Sequence, residues 1–443
     1  MGLFLNHSES FTRLLDSGTK ISTESATNEN ATSVIQLPNG LTIIHQEMPT
    51  AAVVVDVWVR AGASREPAEW SGMAHFLEHM VFKGTQRLKP GEFDWAIESQ
   101  GGVTNAATSH DYAHFYITVA ANVLPQTLPY LADLLLGAAI PADEFGRERQ
   151  VVLEEILQAH DDPDWVGYQA LCEMLYGEHS YGRAVLGTAE ILAARSPEEM
   201  RQFHRAHYQP KNMTVAIAGG ISQSVAVELI QQSFSDFAEP IGCPQPKPQP
   251  LNILPEQQVH QHRTLHLPNL EHSRLTMAWL GPGIDQLDIV SGLDLISVLL
   301  GGGDTSRLVR ELREEKQLVQ DVDASFSIQQ ECSLLSVSMW LEGPDLEEVE
   351  EIVCDRLHLL ANQPIEESEL ARCKRLLLND YAFSTETPSQ IAGLYGYYAT
   401  IAQPELAVAY PGHIQAHSPH SLQQLIRQYL SPERYTAVVL QPE

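Results

Sequence analysis

Two histidines and a glutamate fall within five consecutive residues of a predicted helix, residues 72–80. Side chains four positions apart lie on one face of a helix, so His75 and His79 can bind the same metal ion. Glu78 lies on the same side and can reach a metal-bound water without being a ligand. Imidazole nitrogen suits zinc, and a catalytic zinc uses three protein ligands and one open position. Ser71 is the predicted N-cap of this helix.

A second predicted helix supplies candidates for the third ligand. It begins after Pro141 and ends before Pro163, with acidic residues in its first turn, where the helix dipole favours them. Glu148 and Glu155 are seven positions apart and therefore share a face, whereas Glu154 points elsewhere. Either Glu148 or Glu155 can complete the site, because spacing within the helix does not distinguish them.

The two halves of the chain repeat one pattern. A Ser-Pro pair begins a helical segment at Ser196 and again at Ser418, 222 positions later. The same offset relates further pairs in the helix, in a Pro-marked turn and in a strand: Met200 and Leu422, Gln202 and Gln424, Arg205 and Arg427, Pro210 and Pro432, Thr214 and Thr436. A constant offset across three elements indicates a duplicated domain.

A proline-rich stretch, residues 239–262, separates the two copies. Proline cannot continue a helix or a central strand, so this stretch is predicted to be a semi-extended linker. It divides the chain into a metal-binding domain, residues 35–238, and a second domain, residues 263–443. Residues 1–34 are rich in polar residues and are predicted to be a mobile extension.

Only the first copy carries the metal-binding pattern, since a shift of 222 or 223 positions takes His75 to Ser297 or Val298. Strand patterns such as residues 53–60 alternate with helical patterns too irregularly for a doubly wound parallel sheet. The prediction is an α+β fold of two homologous domains. Each domain is expected to be a mostly antiparallel sheet with helices packed on one face.

Composition limits the classes of partner. Lys and Arg total 27 and Asp and Glu total 57, which gives a net charge of −30. This charge repels phosphate backbones and anionic lipid, so nucleic-acid and membrane-surface binding are not expected. No apolar run is long enough to span a membrane. With no recognisable targeting segment, a bacterial cytoplasm is the expected location. Free thiols are expected for the five cysteines, which are Cys172, Cys243, Cys332, Cys354 and Cys373.

The sequence resembles the pitrilysin/insulinase-type inverzincin zinc peptidases, and most of all their two-domain processing-peptidase-like members. The resemblance covers residues 35–443. It rests on three motifs, which are His75-Phe76-Leu77-Glu78-His79 with Phe82-Lys83-Gly84-Thr85 after it, Gly101-Gly102-Val103-Thr104-Asn105-Ala106, and Glu148-Arg149-Gln150-Val151-Val152-Leu153-Glu154-Glu155-Ile156.

The resemblance implies a role for each acid of the site. In that family the third ligand to Zn²⁺ is the last acid of the third motif, which is Glu155, 76 positions after His79. The upstream acid of the motif, Glu148, is implied to support the site. Glu78 is implied to be the general base that takes a proton from water and hands it to the leaving amine.

The resemblance also implies how substrate binds. Two such chains close as a clamshell dimer, and its chamber admits unfolded peptides or presequences. Val103, Thr104, Asn105 and Ala106 resemble the edge strand that pairs with the substrate backbone, an arrangement that gives affinity with loose side-chain specificity. The implied function is that of a zinc endopeptidase acting on peptide substrates.

One position departs from the family pattern. The family often places an Arg, and seven residues later a Tyr, across the chamber from the zinc, where they stabilise the oxyanion. Arg313 matches the Arg, and Gln320 stands at the Tyr position. Gln can donate a hydrogen bond, with a different reach. The departure favours a heterodimer whose related partner chain supplies the Arg/Tyr pair. The alternatives are a non-catalytic structural subunit of a larger assembly and a closed structural zinc site.

Overall fold

Two β-sheets, one in each half of the chain, organise the fold. The computed structural model describes residues 32–247, 260–268 and 270–443, which belong to one compact unit. The predicted extension lies outside the described residues as far as residue 31.

The first sheet has six strands: β1 Ser33–Gln36, β2 Thr42–Glu47, β3 Ala52–Val59, β4 Val103–Thr108, β5 Ala113–Ala120 and β6 Met213–Gly219. Their order across the sheet is β1-β2-β6-β3-β5-β4. The β2–β6 pair is parallel and the other neighbours are antiparallel. Strand β4 therefore forms one edge of this sheet.

The second sheet has five strands: β7 Gln261–Leu267, β8 Ser273–Pro282, β9 Val319–Ile328, β10 Cys332–Leu341 and β11 Thr436–Pro442. Their order is β7-β11-β8-β10-β9, and the β7–β11 pair is the parallel one. Each of these five strands has a counterpart at the same place in the first sheet, which has β1 as an additional edge strand. The predicted α+β fold with two homologous domains is confirmed.

The helices of the first half are α1 Met73–Val81, α2 Glu92–Glu98, α3 Leu124–Leu136, α4 Ala142–His160, α5 Pro163–Tyr176, α6 Ala189–Ala193, α7 Pro197–His207 and α8 Gln223–Ser233. Those of the second half are α9 Leu287–Gly301, α10 Leu346–Asn362, α11 Glu367–Phe383, α12 Pro388–Ile401, α13 Glu405–Ala416 and α14 Pro419–Tyr429. None of these helices is long and apolar enough to cross a membrane.

The repeat in the sequence corresponds to one helix start and the strand that follows it. Ser196 caps α7 by accepting the N–H of Glu199, and Ser418 caps α14 by accepting the N–H of Ser421. In both helices a proline occupies the first turn, where no N–H partner is needed. The offset of 222 therefore records a duplicated capping box.

One helix of each half packs against the sheet of the other half. Helix α12 lies on β3 and β6 of the first sheet, and α5 lies on β7 and β11 of the second. Val53 and Val55 belong to the core of the first domain, whereas Val54, on the opposite face of β3, packs in the cluster that includes α12. One face of each sheet is therefore covered by helices of the same domain, and the opposite face is covered by a helix from the other domain.

Two predicted boundaries move by a few residues. Ser33 and Val34, assigned to the extension, pair with β2 as part of β1. Gln261 and His262, assigned to the linker, pair with β11 as part of β7. Residues 248–259 of the predicted linker lie outside the described residues. Ladder hydrogen bonds, which composition does not reveal, extend the sheets into both segments.

Close packing between α12 and the first sheet predicts that alanine substitution at two glycines of this helix changes the stability of the protein in opposite directions. A Cβ at Gly396 would lie 2.1 Å from Nε1 of the buried Trp58, whereas a Cβ at Gly393 would meet nothing within 4 Å. We expect Gly396→Ala to cost about 1–3 kcal/mol through overpacking. Gly393→Ala should stabilise the protein by up to about 1 kcal/mol. Urea unfolding midpoints check this, and equal midpoints for the two variants would contradict it.

Candidate metal centre

Helix α1 begins at a glycine and is capped by a buried acid. Gly72, the N-cap residue, has a φ of 90°, a left-handed conformation that favours glycine. Glu66 accepts the N–H groups of Gly72 at 2.9 Å and Ala74 at 2.5 Å. Burial raises the pKa of Glu66 to about 8, although the two hydrogen bonds act in the opposite direction. The predicted Ser71 cap is wrong, because Glu66 occupies the first amides of the helix.

Three predicted ligands converge where α1 faces α4. Glu155 Oε1 lies 3.6 Å from His75 Nε2, and Glu155 Oε2 lies 3.5 Å from His79 Nε2. One ligand atom from each residue lies within 4.8 Å of the others, and no other set of three metal-binding side chains in the described ranges meets this spacing. The two helices are held together by buried aromatic rings, with Phe76 and Phe145 at a centroid distance of 4.6 Å.

Glu148 contacts the other nitrogen of His79. The distance from His79 Nδ1 to Glu148 Oε1 is 3.0 Å, and Lys83 Nζ lies 2.8 Å from Glu148 Oε2. With a metal ion bound, a proton on Nδ1 donated to this carboxylate would leave the lone pair of Nε2 free for the metal. Lys83 was not among the predicted site residues, although its position four residues after His79 was a usable signal.

Electrostatics keep His75 neutral and Glu155 ionised. Burial, helped by the nearby His79, lowers the pKa of His75 to about 4. The hydrogen bond from His79 lowers the pKa of Glu155. Burial lowers the pKa of His79 too, but hydrogen bonds to Glu155 and Glu148 outweigh it, so that this pKa is raised overall. A neutral imidazole and an ionised carboxylate are the forms that bind metal.

Glu78 stands beside the three ligands and touches the edge strand. Its Oε2 accepts a hydrogen bond of 2.5 Å from Thr108 Oγ1, at the end of β4. Burial raises the pKa of Glu78, and the bond from Thr108 opposes that shift. Thr108 was not among the predicted site residues, because no local pattern in the sequence links it to α1.

The predicted substrate strand is the first part of β4. Val103 is 59% exposed, and the side chain of Asn105 accepts the N–H of Ala106 at 2.9 Å. Thr104 Oγ1 donates to the carbonyl of Tyr116 on β5 at 2.9 Å. Among the residues that the structure describes, the strand has a neighbouring strand on one side only, so it can accept a further strand on the other.

Arg313 contacts acids of its own domain. It lies on a π-helix, Val309–Glu315, and its guanidinium pairs with Asp304 and Glu314 at 2.8 Å. Gln320 Nε2 lies 3.1 Å from the ring nitrogens of His272. Neither side chain has a hydrogen bond or ion pair with the cluster on α1 and α4, within the ranges that the structure describes.

Two arginines hold α4 in place. Arg149 donates to the carbonyls of Ala193 and Arg195 at 3.1 and 2.8 Å. Arg201 donates to the carbonyl of Ile140 at 2.7 Å. Ile140, just before the helix, has a φ of 48°, a conformation that a β-branched residue adopts only under constraint. The helix that carries Glu148 and Glu155 is thus fixed at its entry and in its middle.

The donor set fits a catalytic zinc ion. Two imidazole nitrogens and one carboxylate are a known ligand set for zinc enzymes that keep one position open. The side chain of Glu155 is 42% exposed, so solvent reaches the cluster.

Models of one protein family match most of the chain. The model described as Insulinase (Peptidase family M16) matches residues 41–189, and the model described as Peptidase M16 inactive domain matches residues 195–377.

Relatives of similar length match both domains. The chain is 28% identical to the zinc protease PqqE of Helicobacter pylori over 92% of each chain. It is 30% identical to an uncharacterized zinc protease of Mycobacterium leprae, over 75% of this chain and 74% of that protein.

Solved structures share the fold of the whole described unit. A protease from Helicobacter pylori matches with a TM-score of 0.85 and 26% identity, over 93% of this chain and 100% of that one. Pitrilysin matches with a TM-score of 0.76 and 18% identity, over 95% of this chain and 46% of that one. With its two domains, its motifs and these relatives, the chain belongs to the insulinase family of peptidases, family M16.

Proposed function

We propose that this protein is a zinc metalloendopeptidase that hydrolyses unfolded peptides or presequences. The observation that carries the proposal is the convergence of His75, His79 and Glu155 with Glu78 beside them on the same helix. Relatives named as zinc proteases support the peptidase class.

The residues of the chain divide the work between holding the metal and moving protons. His75, His79 and Glu155 would hold Zn²⁺, and Glu148 orients His79. The ion, when bound, lowers the pKa of water and polarises the scissile carbonyl. Glu78 accepts a proton from the attacking water as its oxygen adds to the carbonyl carbon. Glu78 then delivers this proton to the amide nitrogen as the carbon–nitrogen bond breaks.

The edge strand β4 would bind the substrate backbone. An extended peptide can add to Val103, Thr104, Asn105 and Ala106 as a further strand, and it then passes Thr108, which touches Glu78. Because backbone pairing requires an extended chain, folded proteins are poor substrates. The N–H of Ala106 is held by Asn105, so this side chain must move before that N–H can bind a peptide.

A dimer would complete the chamber. Pitrilysin is about twice as long as this chain, which covers 46% of it, so two copies would supply about the length of that one chain. Arg313 would stabilise developing negative charge from across such a chamber, with Gln320 or the Tyr of a related partner chain as the second donor.

The proposal predicts that Glu78→Gln abolishes turnover and keeps the metal. Glutamine retains the shape of glutamate but cannot take up a proton. We expect kcat to fall by a factor of at least about 100, with one zinc per chain by elemental analysis. Glu69→Gln, an exposed acid near the start of α1, is the matched control and should keep the parent rate. Peptide cleavage by the Glu78→Gln variant at the parent rate would rule out this role.

A second prediction concerns the support of His79. We expect Glu148→Gln to weaken zinc binding about 10–100-fold, because the amide no longer holds the Nδ1 proton of His79 as a carboxylate does. The exposed neighbour Glu154 provides the control, and Glu154→Gln should leave zinc affinity unchanged. Competition with a chromogenic chelator measures both constants. Equal zinc affinities for the two variants would contradict the assignment.

The central test is cleavage of a mixed set of fluorogenic peptides by the zinc-loaded chain alone. Cleavage that a chelator removes and zinc restores would support the proposal, and would make Gln320 sufficient in a homodimer. Full zinc occupancy without cleavage would refute a self-sufficient enzyme. It would favour a partner-dependent or structural subunit.

A further inference from the structure

The carboxylate of Glu78 is held by one residue that no motif assigned. Thr108 Oγ1 donates to Glu78 Oε2 at 2.5 Å, a short, charge-assisted bond. Among the described residues this is the one side-chain or backbone group that hydrogen-bonds to the carboxylate of Glu78. Oε1 is therefore left to accept a proton from a water molecule.

The position of Thr108 is set by the sheet. It is the last residue of β4 and pairs with Ala113 at the start of β5. Its β-branched side chain has few allowed rotamers in a strand. The hydroxyl is therefore presented to α1 from a rigid element.

The turn that follows Thr108 is fixed from both domains. Asp111 accepts the hydroxyl of Tyr181 at 2.7 Å and the N–H of Gln330, on the turn between β9 and β10, at 3.0 Å. His110 Nε2 lies 3.0 Å from the carbonyl of Arg183. These bonds, made from the second domain and from the segment before α6, keep the end of β4 from shifting relative to α1.

We propose that Thr108 is a positioning residue that aims the general base, an inference that rests on the proposed peptidase function. A glutamate side chain has three rotatable bonds, and its hydrogen bond to Thr108 selects one arrangement among them. Because Thr108 ends the strand proposed to bind the peptide, one element sets the place of both the substrate backbone and the base. Effective proton transfer needs such a fixed geometry, since a displacement of 1 Å can cost about 100-fold in rate.

The kinetic test compares two substitutions at Thr108 in the zinc-loaded chain. Thr108→Val keeps the shape and the β-branching but removes the hydroxyl, and we expect kcat to fall about 10–100-fold. KM and the zinc content should stay at the parent values. Thr108→Ser restores the hydroxyl and should restore most of kcat.

The matched control is Thr276→Val in β8 of the second sheet. Thr276 makes a similar hydroxyl contact, 3.1 Å from Ser338 Oγ, and this substitution should leave kcat unchanged. A Thr108→Val variant as active as Thr276→Val would overturn the inference. So would a fall in kcat that Thr108→Ser does not restore, because that result would indicate a packing role.

A test without turnover separates this inference from the proposed function. In metal-free protein, Thr108→Val should lower the urea midpoint of unfolding, because a partly buried acceptor loses its donor. In a Glu78→Ala background the same substitution should cause no further loss. Equal losses in both backgrounds would overturn the contact. Failure of the parent chain to cleave any peptide would count against the peptidase function, while this cycle still tests the contact between Thr108 and Glu78.

Discussion

The site depends on holding two helices at a fixed distance, because its ligands come from both. His75 and His79 lie on α1 and Glu155 lies on α4, so a small slide of one helix would separate the nitrogens from the carboxylate that now lies 3.5–3.6 Å from them. Buried aromatic rings resist such a slide. The entry to α4 is tied to the end of α1 by the hydrogen bond from Ala139 N–H to the carbonyl of Gly84. Rigid elements of this kind hold catalytic groups more accurately than loops do.

The exchange of α5 and α12 between the halves extends this rigidity to the whole unit. Each sheet buries both faces only when the other domain is present, so neither domain has a complete core alone. Arg60 strengthens the junction by donating to the carbonyls of Ala399 and Thr400 at the end of α12. The second domain lacks the metal-binding residues, yet it closes one face of the sheet that ends in β4.

Charge balance explains why the acids of the site are arranged around cations. Glu78, Glu148 and Glu155 bring three carboxylates into a partly dry space, and uncompensated buried charge costs several kcal/mol. Lys83 offsets the negative charge of Glu148. A divalent ion between His75, His79 and Glu155 would offset the other two. Burial raises the pKa of Glu78, and a raised pKa suits the proton transfer proposed for this residue.

Local geometry accounts for what could be read from the residues alone. His75 and His79 face one way because a helix brings every fourth residue to the same side, and the capping boxes of α7 and α14 repeat because the same short-range bonds form twice. Spacing within α4 left Glu148 and Glu155 open, and only family resemblance favoured Glu155. Their distinct contacts depend on how α4 is rotated against α1, which is a property of packing. The cap from Glu66, the ion pair of Lys83, the bond from Thr108 and the exchanged helices join residues distant in sequence or outside any recognisable pattern. No local periodicity encodes them, so the tertiary structure decided them.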